Sequence, residues 1–258
     1  GDDGIGQHRS KHNSIRENNI TNNQRNGVYL DYSEDNSIVG NNIANNNYGI
    51  WLWHSSNYNS ISGNTIANNS VSGIYLSYSS NRFWHNNFID NTQQVYYDSG
   101  HASVWDNGYP SGGNYWSNYT GTDLYFGTFQ NWDGWDGIGD TAHAIDANNT
   151  DNYPLMAPIS IFDAGIWNGT PYNIDVISNS AISNFQLNAT QKTISFSVTG
   201  ETGSGFCRVT VPSIIIEDMW KSHYIVLVND QPVAFMEAMS AGNTYIHFAY
   251  EHSTKEVK

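Results

Sequence analysis

The chain has 258 residues and a formal net charge of −14, because 10 lysine and arginine residues face 24 aspartate and glutamate residues. This balance excludes the basic footprint of a nucleic-acid-binding protein, and it would repel an anionic membrane surface. The single cysteine, Cys207, excludes an internal disulfide and is expected to be a small core residue.

An Asn-rich pattern of 22–23 residues repeats four times between residue 13 and about residue 97. The copies start at Asn13, Asn36, Asn59 and Asn81, with spacings of 23, 23 and 22 residues. Each copy closes with an apolar residue, an aromatic residue and a third residue that is apolar or aromatic: Val28-Tyr29-Leu30, Ile50-Trp51-Leu52, Ile74-Tyr75-Leu76 and Val95-Tyr96-Tyr97. A fixed period of this size predicts a solenoid, in which each unit buries its apolar face against its neighbours.

The type of solenoid follows from the spacing of apolar residues inside one copy. They recur at period two and are separated by Asn, Ser and Gly, which is typical of short strands joined by turns. The pattern therefore predicts a right-handed parallel β-helix with about three strands per coil.

Two columns of asparagines should stack at the corners of these coils. The first comprises Asn13, Asn36, Asn59 and Asn81, and the second comprises Asn18, Asn41, Asn64 and Asn86. Asparagine tolerates the left-handed backbone of such corners, and its amide can hydrogen-bond to the next coil. We predict a structural role for both columns.

The stretches from Asn36 to Asn57 and from Asn59 to Asn81 match the form N-x-I-x-x-N-x-I…G-I-x-L-x-x-S-x-N. With these residues the chain resembles the NosD-type β-helix repeats of periplasmic and archaeal cell-surface proteins. Gly113-Asn114-Tyr115-Trp116-Ser117, Asp136-Gly137-Ile138-Gly139-Asp140 and Asp151-Asn152-Tyr153-Pro154-Leu155-Met156 look like the tail of those domains, so the resemblance covers roughly residues 8–160. The resemblance implies a parallel β-helix fold. The family's named member assists copper-site assembly and other members are sugar-active, so the resemblance does not select a function.

The chain changes character after the repeats. Residues 101–160 lack the period and are rich in Trp, Gly, Asn and Asp, which favours an irregular cap on the last coil. Residues 161–258 contain alternating strand segments separated by turn signals, and they predict an antiparallel, immunoglobulin-like β-sandwich. The expected class is all-β, with a β-helix domain at 1–160 and a sandwich domain at 161–258.

The closing strands carry the strongest ligand signal. Because the residues flanking each central aromatic point inward, Tyr29, Trp51, Tyr75 and Tyr96 should form one outward column, with Trp53 further along its strand. Coils about 4.8 Å apart match roughly one sugar unit of an extended glycan. The column is therefore a candidate polysaccharide platform. The alternatives are that it stabilises the sheet, is covered by residues 101–160 or by the sandwich, or contacts another protein.

An acidic loop is the candidate metal site. Asp133, Asp136 and Asp140 are spaced three and four residues apart among glycines, which lets several oxygens converge on one Ca²⁺ ion. Asp123, Asp146 and Asp151 are further candidate ligands. The alternative is a solvated Gly-Asp turn.

Copper and catalysis have weaker support. The histidines are scattered, at positions 8, 12, 54, 85, 101, 143, 223, 247 and 252, and no cysteine accompanies them, so we expect no dedicated copper site. The acids of the coils are Glu17, Asp31, Glu34, Asp35, Asp90 and Asp98, and none is expected to pair with another in register. The chain therefore favours a binding or structural role over an enzyme.

Six N-glycosylation sequons suit an exported protein: Asn19, Asn68, Asn118, Asn148, Asn168 and Asn188. No signal peptide or apolar span occurs, so we expect the mature part of an extracellular or cell-surface protein, held at a membrane only through an anchor outside this chain.

We predict a structural or adhesive surface protein of archaeal type. It would be a candidate subunit of a surface layer, sheath or filament, with itself or other surface proteins as partners. The open edge of the first coil would allow head-to-tail assembly. A glycan-binding module and a carbohydrate-active enzyme are the alternatives.

Overall fold

The computed structural model describes residues 2–99, 102–221, 223–240, 242–252 and 255–258. The chain forms two compact units. The first contains residues up to Thr122 together with Gly139–Leu155, and the second contains Asp123–Ile138 together with Met156–Lys258. This division differs from a boundary after residue 160. Gly134 and Gly137 approach Met236 and Arg208 so closely that residues 123–138 belong with the second unit.

In the first unit, the described residues up to residue 116 form fourteen short strands. They are β1 (Ile5–His8), β2 (Ser14–Arg16), β3 (Asn19–Thr21), β4 (Asn26–Asp31), β5 (Ser37–Val39), β6 (Asn42–Ala44), β7 (Tyr48–Trp53), β8 (Ser60–Ser62), β9 (Thr65–Ala67), β10 (Ser72–Ser77), β11 (Arg82–Trp84), β12 (Asn87–Ile89), β13 (Val95–Ser99) and β14 (Tyr115–Trp116). They form three parallel sheets, β1-β4-β7-β10-β13, β11-β8-β5-β2 and β14-β12-β9-β6-β3. Three strands per coil over about four coils confirm the predicted parallel β-helix.

The inward side chains of the three sheets form one core. Val28, Ile50 and Ile74 stack in register, as do Ile15, Ile38 and Ile61, and nearly all of their surface is buried. Because the same apolar residue recurs at each level, every coil presents a matching surface to the next.

The two predicted asparagine columns are confirmed, and a third accompanies them. Asn41 donates its backbone N–H and its side-chain amide to Oδ1 of Asn64, both over 2.9 Å, and Asn36 makes the equivalent pair of bonds to Asn59. The third column comprises Asn23, Asn46, Asn69 and Asn91. These bonds satisfy backbone groups at corners that the sheets leave unpaired.

Two tryptophans close the last coil. Trp105 stacks on Phe83 at a centroid distance of 4.2 Å, and Trp116 stacks on Phe88 at 4.3 Å. Both indoles are almost completely buried. The segment after residue 101 therefore begins as a partial fifth coil whose large rings cover the core. The same unit also contains the antiparallel pair β17 (His143–Ala144) and β18 (Thr150–Asp151), while β15 (Tyr125–Phe126) and β16 (Trp132–Asp133) pair in the second unit.

The described residues of the second unit after residue 155 form ten strands and one helix. They are β19 (Ile159–Trp167), β20 (Thr170–Ser178), β21 (Ala181–Asn188), β22 (Thr193–Thr199), β23 (Ser204–Pro212), α1 (Ser213–Trp220), β24 (Val226–Val228), β25 (Gln231–Val233), β26 (Phe235–Ser240), β27 (Asn243–Glu251) and β28 (Lys255–Val257). Two antiparallel sheets, β19-β20-β23-β27-β26 and β21-β22-β28-β24-β25, share one hydrophobic core. An all-β fold with antiparallel sheets after the β-helix is thereby confirmed.

Helix α1 is absent from the sequence-based prediction. Its three consecutive isoleucines have high strand propensity, which favours a strand by local preference. Burial of Ile215, Ile216 and Met219 against the core stabilises the helix instead.

Candidate functional site

The outward face of the sheet β1-β4-β7-β10-β13 carries the predicted aromatic column. Tyr29 pairs with Trp51, Trp51 with Tyr75, and Tyr75 with Tyr96 in the strand register. Their neighbours Val28, Leu30, Ile50, Leu52, Ile74 and Leu76 are fully buried. We call the outward residues Tyr29, Asp31, Trp51, Trp53, Tyr75 and Tyr96 the aromatic face.

Most rings of the column pack against one another. The centroids of Trp51 and Tyr75 lie 4.3 Å apart with an interplanar angle of 31°, and those of Tyr75 and Tyr96 lie 4.9 Å apart at 22°. Tyr29 meets Trp51 edge-on at 6.1 Å, and the Arg25 guanidinium lies 5.4 Å from a Trp51 ring centroid. These contacts stabilise the sheet and use much of the ring surface of Trp51 and Tyr75.

Trp53 is placed differently. It contacts Trp51 at 75°, His54 at 66° and Tyr75 at 45°, so among the described residues its ring has no parallel-stacked partner. The register sets it beside Asp31 on the neighbouring coil. Trp53 is therefore the member of the aromatic face best placed to receive another flat apolar surface.

Asp31 joins two histidines from different coils. Its Oδ2 lies 2.8 Å from Nδ1 of His8, and its Oδ1 lies 2.8 Å from Nδ1 of His54. Its own side chain is 16% exposed, compared with 59% for His8 and 43% for His54. Tyr32 stacks on the His54 ring at 4.9 Å. A polar cluster thus borders the aromatic rings.

The sequence did not predict this cluster, because His54 follows Trp53 and is not equivalent in register to Asp31. His54 and Ser55 both adopt left-handed φ values of 41° and 57°, which form the corner after β7. This left-handed corner explains why the sequence pattern did not place His54 beside Asp31, since the alternation of side chains along a strand ends at the corner. The available signal was that His8 and His54 each lie 23 residues, one coil length, from Asp31, and His8 also pairs with Asp31 in the strand register.

A second carboxylate lies at the other end of the column. Burial, followed by the charge of Asp98, raises the pKa of Tyr75 to about 12, and Ser77 Oγ donates to Asp98 Oδ2 over 3.2 Å. Burial and the charge of Asp31 also raise the pKa of Tyr29. Both tyrosines thus remain neutral hydrogen-bonding groups at physiological pH.

The three predicted calcium ligands are distributed over both units. Asp133 is exposed in β16, and Asp136 is buried, where its Oδ1 accepts the N–H of Ile138. Asp140 belongs to the first unit, and its Oδ2 accepts the hydroxyl of Thr122. Calcium binding stays a prediction.

The six sequon asparagines are all exposed: Asn19, Asn68, Asn118, Asn148, Asn168 and Asn188. In contrast, the ladder asparagines of the inner coils, such as Asn41 and Asn64, are buried. Glycosylation itself stays a prediction, and the exposure meets its steric requirement.

A family model described as periplasmic copper-binding protein (NosD) matches residues 1–121. Neither the curated proteins nor the solved structures contain a match to the chain. Across the described ranges, no helix combines the length and apolarity needed to cross a membrane.

The description of that family raises the question of copper. Within the described ranges, no group of three or more His, Cys, Asp or Glu side chains is arranged to hold a metal ion. His8 and His54 both direct Nδ1 to Asp31, and Cys207 is buried in the second unit. His101 lies outside the described residues. The described donor set does not fit a copper centre.

Proposed function

Because residues 1–121 form a NosD-type parallel β-helix, we propose that the protein acts outside the cytoplasm as an adhesion protein that binds polysaccharide on its aromatic face. The observation that supports this proposal best is the placement of Trp53. Its ring lacks a parallel-stacked partner among the described residues and lies beside the carboxylate of Asp31.

The chemistry of the face suits a sugar. The C–H side of a pyranose is apolar and packs on an indole ring, while its hydroxyls need hydrogen-bond partners. The Asp31 carboxylate can accept such hydrogen bonds, and His8 and His54 have exposed side chains next to it. A Trp beside a carboxylate thus meets both requirements of one sugar unit.

The geometry and charge of the face restrict the polymer. The rings occupy consecutive coils, so an extended chain with a repeat of about 5 Å can contact several levels. Asp31 and Asp98 flank the column, and the whole chain carries a net charge of −14. Polyanions would be repelled, so we propose a neutral polysaccharide.

The test is affinity electrophoresis and pull-down of the full chain against a panel of neutral and anionic polysaccharides. We expect retention by at least one neutral polymer. Trp53→Ala should weaken it about tenfold, since losing one aromatic contact removes roughly 1.5 kcal/mol.

Trp84→Ala is the matched control. Trp84 is also a half-buried outward Trp of the β-helix, but it lies in the sheet β11-β8-β5-β2 and packs against Arg82. The Trp84→Ala variant should leave polysaccharide binding unchanged. Absence of binding to every neutral polymer, or equal loss in the two variants, would contradict the proposal.

Head-to-tail assembly through the first coil is a second candidate. Within the described residues β1, β2 and β3 each have only one neighbouring strand, and a free strand edge can pair with another chain. Size-exclusion chromatography with light scattering over a range of concentrations tests this candidate. A mass of one chain at every concentration would contradict it.

A further inference from the structure

The second unit contains a cavity of about 700 Å³ between its two sheets. Val211 of β23 and Phe248 of β27 line it from one sheet. Phe196 of β22 and Val257 of β28 line it from the other sheet. Trp220, at the end of α1, also borders the space. Residues of the shared core thus form the walls of the cavity.

Such a space needs an explanation. The cavity is partly open to solvent, so a small molecule can enter it from outside the close-packed core. Cavities that bind small molecules typically measure about 300–1,000 Å³ and have mainly apolar walls with a few polar groups. The size and the apolar walls formed by Val, Ile and Phe side chains fit that description.

Two lysines lie among the polar residues at the cavity. Lys192 and Lys258 contribute to its lining together with Thr193, His223 and Tyr224, although the chain has only 10 lysines and arginines. Lys258 is paired with Asp230 at 3.0 Å and Glu256 at 3.4 Å. Lys192 makes no ion pair with another described residue and is exposed. It is therefore available to an anionic group.

A hydrogen bond and a tight turn fix the backbone of Lys192. The Trp220 indole N–H donates to the carbonyl oxygen of Lys192 over 2.7 Å, and Lys192 adopts a left-handed φ of 55° in the turn before β22. This contact ties one cavity wall to the residue that carries the cation.

We propose that this cavity binds an amphipathic monocarboxylate, a fatty acid whose chain lies between the sheets and whose carboxylate meets Lys192. The apolar walls account for affinity for the chain. The lysine ammonium accounts for preference for an anionic head over a cationic one. The site lies wholly in the second unit, so the proposal is independent of polysaccharide binding.

The test is isothermal titration of the full chain with dodecanoate and with dodecyltrimethylammonium, each below its critical micelle concentration. The two probes share an apolar chain and differ in the sign of the head group. We expect dodecanoate to bind with a stoichiometry of about one, and about fivefold more tightly than the cation.

Variants separate the head-group contact from the cavity. Lys192→Gln should weaken dodecanoate about fivefold and leave the cation unchanged or tighter. Lys255→Gln removes the same charge from β28 at a position that does not line the cavity, and it should change neither affinity by more than about twofold. Leu227→Trp fills the cavity from a half-buried lining position and should abolish binding of both probes. Ile194→Trp is the second filling variant if Leu227→Trp does not fold by circular dichroism.

The outcomes are distinguishable. Absence of dodecanoate binding overturns the proposal, as does equal binding of both probes by the wild type and Lys192→Gln. Binding that survives both filling variants places the probe elsewhere and also overturns it. Concentration-dependent dimerisation that Leu227→Trp removes, without any probe binding, would assign the cavity to a second copy of the chain and overturn the proposal as well.

Discussion

The backbone N–H of Asn114 donates to Oδ2 of Asp151 over 2.7 Å. Each asparagine of the second column makes the same kind of bond to the asparagine of the next coil, as Asn86 does to Oδ1 of Asn114 over 3.1 Å. Asp151 therefore occupies the position of the next asparagine and ends the column with a carboxylate. The Trp116 indole N–H donates to the same oxygen over 2.9 Å.

This position changes the protonation of Asp151. Burial raises its pKa from an ordinary value of 3.8 to about 7, although hydrogen bonds from Asn114, Trp116 and Tyr153 favour the charged form. The native state therefore holds the proton more tightly than the unfolded chain does. The resulting stabilisation is complete below about pH 4 and is lost as the pH rises to about 7.

We predict that Asp151→Asn removes this pH dependence, because asparagine fills the other positions of the column without a charge. The free energy of unfolding of the wild type, relative to the variant, should fall by about 3 kcal/mol between pH 4 and pH 7.5. Urea unfolding at several pH values measures it. Glu17→Gln, at an exposed position of the first unit, is the control and should parallel the wild type. If the free energy of unfolding of Asp151→Asn depends on pH in the same way as that of the wild type, Asp151 is not the source of the pH dependence.

The asparagine columns should contribute strongly to stability. Asn64 is fully buried, accepts two bonds from Asn41 and donates to the carbonyl oxygen of Ile38 over 2.8 Å. Asn64→Ala leaves these buried groups without partners, so we expect a loss of about 3 kcal/mol or more in the free energy of unfolding.

Asn42→Ala is the matched control for this loss. Asn42 is exposed, and among the described residues its side chain donates to Asn19 alone. Its replacement should cost less than about 1 kcal/mol in denaturant unfolding. Similar losses for the two alanine variants would show that the column is not the source of stability.

The glycine before the apolar–aromatic–apolar triplet of the first three copies, at positions 27, 49 and 73, should be needed for coil spacing. A Cβ at Gly49 would lie 2.4 Å from the carbonyl oxygen of Gly73 and 2.9 Å from Cγ2 of Ile66. Gly49→Ala must push adjacent coils apart, so we expect the free energy of unfolding to fall by about 2–3 kcal/mol. At Gly6 in β1 a Cβ would meet nothing within 4 Å, so Gly6→Ala should be nearly neutral. Thermal unfolding of both variants tests this difference. Equal melting temperatures for Gly49→Ala and Gly6→Ala would contradict the steric explanation.

Calcium binding by the acidic loop can be tested directly. Extracellular calcium modules have dissociation constants of about 10⁻⁴–10⁻³ M, and we expect this range from calorimetric titration with Ca²⁺. Asp133→Asn should reduce the affinity, whereas Glu201→Gln, another exposed acid, should leave it unchanged. Absence of a heat of binding up to about 10 mM Ca²⁺ would contradict the prediction.

The repeat in the sequence determined most of the first unit by itself. A period of 22–23 residues sets the coil, and the alternation within each copy decides which side chains point inward. Equivalent residues of successive copies must then stack, which is why the column from Tyr29 to Tyr96 and the two asparagine columns could be predicted. These features depend on local spacing alone.

Only the tertiary structure decided the contacts that the period does not cover. Asp151 reaches Asn114 across 37 residues of irregular chain, and His54 joins Asp31 because left-handed residues form the corner after β7. Helix α1 forms against the local strand preference of its isoleucines because the core buries one of its faces. The cavity beside Lys192 arises from how two sheets pack. Each depends on a chain path that neighbouring residues do not specify, so pattern and propensity could not predict it.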